Sequence, residues 1–262
     1  MIKFSKCLLI CSVMFSAFPL SALADAEAEI QDKLEVTAGL SRTSQSLVHG
    51  VLVTYQNDPT LNVTYETAQG FASMQNGVGV WLVRDALLKA GVSVNYMMGR
   101  QEKADPRYVG MGRVSGSAMS YVWGEWQPIK DAITLYANAG NSWNASSGTL
   151  AQWGATLGFP VMGRVNGFVD ISRYWASQNY VQRYYGVTQS QSATSGYNMF
   201  TARSAGVLYA NTQIGLAIEV DRDTDAIVGY GRSTASGMLM ESPLLNTKSQ
   251  AMSALVLNRR FH

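Results

Sequence analysis

Residues 87–97 read LLKAGVSVNYM. Leu88, Ala90, Val92, Val94 and Tyr96 recur at every second position, and Lys89, Gly91, Ser93 and Asn95 fill the places between them. A period of two puts successive side chains on opposite faces of an extended chain, so the stretch predicts a strand with one apolar face and one polar or glycine-rich face. The same alternation returns in DKLEVTAGLS (Leu34, Val36, Ala38, Leu40), LNVTYE (Leu61, Val63, Tyr65), DAITLYANAG (Ile133, Leu135, Ala137, Ala139), LAQWGATLGF (Ala151, Trp153, Ala155, Leu157, Phe159) and QIGLAIEV (Ile214, Leu216, Ile218, Val220). Helix-period patterns are absent by comparison.

About twelve strands are expected, near 33–41, 47–56, 60–67, 76–84, 87–98, 115–126, 131–141, 149–159, 162–174, 211–220, 226–235 and 251–261. The connections alternate in character. QNDPT, RDA, QPIK, PVM and DRDTD are tight; AQGFASMQN, GRQEKADPRYVGMGRV, NSWNASSG, a stretch of about 175–210 and STASGMLMESPLLNTKS are long. Short turns at one end, long loops at the other and both termini on the short side are the layout of a transmembrane antiparallel up-and-down β-barrel with an even number of strands. A soluble sandwich would show the same alternation, but its polar face would carry many Lys and Glu. Here that face is mostly Gly, Ser, Thr, Asn and Gln, with isolated Glu35, Glu66, Lys89, Arg164, Asp170 and Glu219, which suits a narrow lumen. Tyr55, Tyr65, Tyr96, Trp126, Phe159 and Tyr230, near strand ends, fit interfacial girdles.

The first residues set the compartment. Lys3 and Lys6 precede an apolar stretch from Cys7 to about Leu20, and Ala22-Leu23-Ala24 stands before Asp25. This is the pattern of a secretory signal peptide, residues 1–24, with cleavage after Ala24 and a barrel domain over 25–262. The apolar stretch falls short of the ~20 residues that span a bilayer. Both cysteines, Cys7 and Cys11, lie inside it, so the mature chain is expected to have neither disulfides nor cysteine metal sites. Without Lys3 and Lys6, 18 Lys and Arg face 18 Asp and Glu. That balance does not resemble a nucleic-acid binder, and no nucleic-acid partner is expected.

In the last strand, SALVLNRRFH, the alternation turns Phe261 outward together with Leu257 and Leu255. A terminal aromatic on an amphipathic strand is similar to the signal read by the barrel assembly machinery, although His262 follows it and Arg259 occupies a position commonly apolar. Farther back, RYYGVTQSQSATSGY, TDAIVGYGRS and ESPLLNTKSQAMSALVLNRRF together resemble the MipA/OmpV family of Gram-negative outer-membrane proteins. The matching positions are Tyr184, Tyr185, Gly186, Val187, Ser192, Ala193, Ser195 and Gly196, then Ser242, Pro243 and Phe261. They cover roughly the C-terminal third. The resemblance implies an outer-membrane barrel in contact with membrane lipid and without a catalytic site. It further implies a scaffold that brings a murein-degrading lytic transglycosylase together with a peptidoglycan synthase; other members are surface antigens or adhesins.

The residues themselves point to no enzyme chemistry, cofactor or metal. The mature chain carries two histidines, His49 and His262, with no serine or carboxylate beside His49 in a recognisable arrangement. Glu35, Glu66, Asp170 and Glu219 are expected in lumen ion pairs with Lys89, Arg164 or Arg232. Gly77-Val78-Gly79 and Gly110-Met111-Gly112 lack the following helix that a phosphate loop needs. The alternatives to a scaffold are a small pore for hydrophilic solutes and, more remotely, a barrel hydrolase. The run QNYVQRYYGVTQSQSATSGY (178–197) is read as neither helix nor strand, and its tyrosines must be kept from water. Tyr184 and Tyr185 are therefore expected to anchor a folded constriction or cap at the barrel mouth.

Overall fold

A computed structural model of the chain describes residues 32–44, 57–104, 108–144 and 147–261. The expected signal peptide, the expected strand at 47–56, Tyr55, His49 and His262 lie outside the described residues. Twelve antiparallel strands close into a barrel in chain order: β1 (Lys33–Thr43), β2 (Asn57–Glu66), β3 (Gly70–Ser73), β4 (Gly77–Arg84), β5 (Leu88–Met97), β6 (Ser117–Ile129), β7 (Ile133–Ser142), β8 (Thr149–Met162), β9 (Val165–Ala176), β10 (Gly206–Asp221), β11 (Thr224–Ala235) and β12 (Ser249–Phe261). The seam pairs β1 with β12 from Leu34↔Phe261 to Thr43↔Met252. Apart from β3 and β4 the strands are 10 to 16 residues long, enough for a tilted strand to cross a bilayer, which needs about 9–11. Closure leaves no sheet edge along the seam, the condition for a sheet to exist in lipid.

The alternation maps onto the wall as expected. The apolar members of β5, β7 and β8 point outward, as do Leu255, Leu257 and Phe261 of β12, while their partners point inward. Tyr65, Trp126 and Phe159 stand outward near the turn end and Tyr96 near the loop end, between 42% and 59% exposed. Tight turns at 67–69, 85–87, 130–132, 163–164 and 222–223 share one end with Lys33, where β1 starts, and Phe261, where β12 stops; the long connections 98–116, 177–205 and 236–248 share the other.

Three expectations are corrected. QNDPT is not a turn, because Asn57–Glu66 form β2, which runs from the loop end toward the turns in register with β1 from Arg42↔Asn57 to Lys33↔Glu66. Pro59 suggested a turn, but among the described residues β2 ladders over 57–62 to β1 alone, so a missing N–H is tolerated there. AQGFASMQN is not one long outer loop: it contains β3, paired to β2 over Thr64–Glu66 and to β4 over Gly77–Val80. Four residues are too short a run for alternation to register.

The third correction concerns the lumen, which is more apolar than its sequence pattern indicated. Phe168, Ala217, Ile227, Ala254 and Val256 form a buried inward cluster on β9 to β12. Beside them Phe71, Trp81 and Trp123 meet with ring centroids 5.0 to 5.5 Å apart. Glycine makes this possible, since a Cβ at Gly215 would lie 2.2 Å from Phe168 Cζ and one at Gly79 2.5 Å from Phe71 Cζ. The ion pairs also differ. Arg232 faces outward, Glu35 pairs with Lys33 at 2.8 Å, Glu66 pairs with Arg84 at 3.1 Å, and the buried pair is Asp225–Arg260 at 2.7 Å. Asp170 takes hydrogen bonds from the Tyr136 hydroxyl at 2.9 Å and the Thr156 hydroxyl at 2.8 Å.

Candidate functional site

The β9–β10 connection folds into the barrel mouth. Contrary to the reading of this run as irregular, Gln178–Tyr185 form helix α1 and Gln189–Ser195 form helix α2. Local chemistry accounts for both. The Ser177 hydroxyl oxygen accepts from the backbone N–H of Tyr180 and, at 2.9 Å, from that of Thr149, so the helix start is tied to β8. Thr188 and Gln191 make a reciprocal capping box at the start of α2. α1 ends at Gly186, where a Cβ would lie 2.2 Å from Gln182 Nε2. α2 ends at Gly196, whose φ of +77° is the left-handed conformation that favours glycine.

Four of the motif residues therefore sit where helices stop or cap. Ser195 donates from its hydroxyl to the Gln191 carbonyl at 2.6 Å and accepts from the Tyr197 N–H at 3.3 Å. Tyr184 and Tyr185 point toward a cluster shared with the barrel wall. Tyr180 stacks on Tyr184 at 4.5 Å and meets Tyr185 edge-on at 6.1 Å. Around them Tyr108, Met111, Met119, Leu150, Val181 and Leu239 are 0% to 4% exposed, with Tyr174 and Tyr209 stacked at 4.7 Å on the wall. Burial pushes the Tyr180 and Tyr185 hydroxyls up from the usual phenol range.

The neighbouring loops are stitched to the helices through backbone carbonyls. The Ser242 hydroxyl donates to the Tyr185 carbonyl at 2.7 Å, which brings the S-P dipeptide against the YYG stretch. Arg100 Nη1 donates to the Tyr184 carbonyl at 2.8 Å, and its guanidinium lies 4.5 Å over the Tyr108 ring. Gln191 Nε2 donates to the Met111 carbonyl at 2.6 Å, and the Thr194 hydroxyl donates to the Gly110 carbonyl at 2.7 Å. Gly110 has φ +84°, and a Cβ there would lie 2.6 Å from the Thr194 carbonyl carbon. Arg100, Tyr108, Gln191 and Thr194 were not singled out in the sequence; the T-x-x-Q spacing of residues 188–191 was the signal available for part of this set.

The result is a packed lid over the mouth between β5 and β11, with aromatic and hydrogen-bonded layers beneath it. Among the described residues no three His, Cys, Asp or Glu side chains converge as metal ligands would. Phe261, by contrast, stands outward at the turn end, 45% exposed, with the Arg259 guanidinium 5.5 Å over its ring.

Among solved structures the fold is similar to the NanC porin, at 10% identity over 86% of this chain and 98% of that one, with a TM-score of 0.47. It is also similar to the Pseudomonas putida toluene transporter TodX, at 9% identity over 98% and 94%, with a TM-score of 0.43. No curated relative matches. The family described as MltA-interacting protein MipA matches residues 36–261, from the second outward residue of β1 to the outward phenylalanine of β12. With nearly the whole barrel inside that match, the chain belongs to the MipA family.

Proposed function

We propose that this barrel is a non-enzymatic scaffold of the Gram-negative outer membrane, inserted after signal-peptide cleavage near Ala24. Its partners on this reading are a lytic transglycosylase, in keeping with the family's name, and a peptidoglycan synthase. The observation that carries the proposal is the packed mouth. The mouth is packed with side chains that are almost wholly buried, and the lumen below it holds the Phe71–Trp81–Trp123 cluster and the Asp170 hydrogen-bond network. Such an interior favours function at the surfaces over solute passage, and so favours the scaffold over the pore reading. Tyr184, Tyr185, Gly186, Ser195 and Gly196 serve on this account to hold the lid. Phe261 serves as the assembly signal.

Murein lies on the periplasmic side, which the short turns and chain termini occupy in barrels of this layout. Photo-crosslinkers placed at Asp131 or Asp223 in the turns should therefore capture a lytic transglycosylase in intact envelopes, whereas crosslinkers at Arg113 or Thr194 in the loops should not. Capture from the loops alone, or from neither set, would sink the scaffold reading.

A further inference from the structure

On five neighbouring strands the outward apolar ladder is broken, toward the loop side, by a polar residue, with Trp175 beyond it on β9, Ala210 on β10 and Ala251 on β12. Arg42 follows Leu40 on β1, Ser253 stands beyond Leu255 on β12, Arg232 follows Tyr230 on β11, Thr212 stands beyond Ile214 on β10, and Arg173 follows Ile171 on β9. Arg42, Arg173 and Arg232 are all exposed on the outer face. The register ties them into one arc: Arg42 pairs with Ser253, Arg232 with Ala251 and Thr212, and Arg173 with Ala210. Arg42 and Arg232 thus flank β12, and Arg232 and Arg173 flank β10. Two strand spacings and a two-residue register offset separate each pair, about 12 Å between backbones.

None of the three has a described carboxylate partner. Arg232 Nη2 donates to the Ser249 hydroxyl at 3.2 Å, and Arg173 Nη1 donates to the Ser172 carbonyl at 3.1 Å. Of the described carboxylates beyond the loop ends of the strands, Glu102 accepts from the Gly110 N–H and Glu241 pairs with Arg203. The turn end is different: its outward arginine, Arg259, lies over Phe261 and interacts with Asp221. Guanidinium groups at the upper edge of a hydrocarbon-facing band are at headgroup depth. A cation there is costly unless it meets headgroup charge, and Arg forks bind phosphate in a bidentate manner.

We propose that the Arg173–Arg232–Arg42 arc binds the headgroup of an anionic lipid in the loop-side leaflet, one bearing more than one phosphate. Its acyl chains run down Ile171, Ile214, Tyr230, Leu255 and Leu40. The proposal stands apart from the scaffold reading, since it needs only the membrane-embedded barrel and the positions of these side chains.

The test uses the full-length mature barrel in neutral detergent, with bound lipid counted by native mass spectrometry during titration with a diphosphorylated glycolipid. Inorganic pyrophosphate is titrated in parallel, and a heat-modifiable gel shift confirms folding. Each basic residue at an anionic surface contributes roughly fivefold. The R42Q/R173Q/R232Q variant should therefore lose on the order of 100-fold in apparent lipid affinity, and R232Q alone roughly fivefold. Pyrophosphate, lacking the chains, should bind far more weakly than the lipid. Unchanged lipid retention in the triple variant, or in R232Q should the triple variant not fold, would overturn the proposal. Pyrophosphate binding as tight as the lipid's would overturn it as well, by making this a free-phosphate site.

Discussion

Replacing Tyr184 and Tyr185 together by alanine removes two rings from the lid while leaving every inter-strand ladder intact. Tyr185 lies in the packed cluster and Tyr184 stacks on Tyr180 at 4.5 Å, so both replacements leave cavities. Truncating a buried aromatic costs about 3–5 kcal/mol; with both rings only partly buried, and with touching residues short of additive, the pair should cost roughly 4–6 kcal/mol. The loss falls on local opening of residues 177–205, since the barrel has its own closed hydrogen-bond network. If opening is fast relative to cleavage, proteolysis follows the open population, and at 1.4 kcal/mol per tenfold the rate at a protected bond rises by about 10³ to 10⁴. Arg183, in α1 and partly buried, is the bond to watch with trypsin. Arg203, 71% exposed, supplies a reference site already accessible in the wild type. The variant should be cut at Arg183 far faster than the wild type and still show the mobility shift of a folded barrel before boiling. Cleavage at Arg183 within threefold of the wild-type rate, or loss of the mobility shift, would refute the assignment of these tyrosines to a separately opening lid.

Removing one partner of the buried Asp225–Arg260 pair, as in D225N or R260M, should destabilise the barrel by about 3–5 kcal/mol in urea-unfolding titrations in lipid, and the double variant D225N/R260M should recover much of the loss. G110A, which forces a Cβ into the Thr194 backbone at a positive φ, should speed trypsin cleavage at Arg183 without altering global unfolding. Alkaline pH should open the lid. Below the ordinary tyrosine value near 10 the Tyr180 and Tyr185 hydroxyls are neutral in both open and closed states; above it the open state ionises first, because burial raises the closed-state values. Lid stability should therefore be constant up to about pH 10 and then fall by up to about 1.4 kcal/mol per pH unit for each such tyrosine, read as tyrosinate absorbance rising together with Arg183 cleavage.

The wall was legible because its signal is repeated. Leu88 to Tyr96 and Ile133 to Ala139 alternate over four or more positions, and the tilt and closure of a barrel follow from many such strands with short turns at one end. Legibility failed where the pattern was short or doubled. Gly70–Ser73 has too few residues to alternate, and Pro59 carried a turn signal that the one-sided pairing of β2 overrode. On β12, Ala254 and Val256 are apolar inside while Leu255 and Leu257 are apolar outside, so composition alone could not mark the inner face. The lid illustrates a different limit. Its tyrosines and glycines stood out in the sequence, but the helices were hidden: α1 carries its apolar stripe, Tyr180, Val181, Tyr184 and Tyr185, over only eight residues, α2 buries none of its residues, and both owe their form to Ser177, the Thr188–Gln191 box and contacts with loops 70 or more residues away. Those contacts, Arg100 to the Tyr184 carbonyl among them, are set by the closed barrel and have no local sequence signature.

With its mouth packed shut, the barrel is expected to work through its surfaces. Single-channel recording of the purified, folded protein in planar bilayers tests it most directly. No stable conductance above the bare-membrane background is expected at moderate voltages. Long-lived, uniform conductance steps from the wild-type protein would contradict it and return the pore reading to first place.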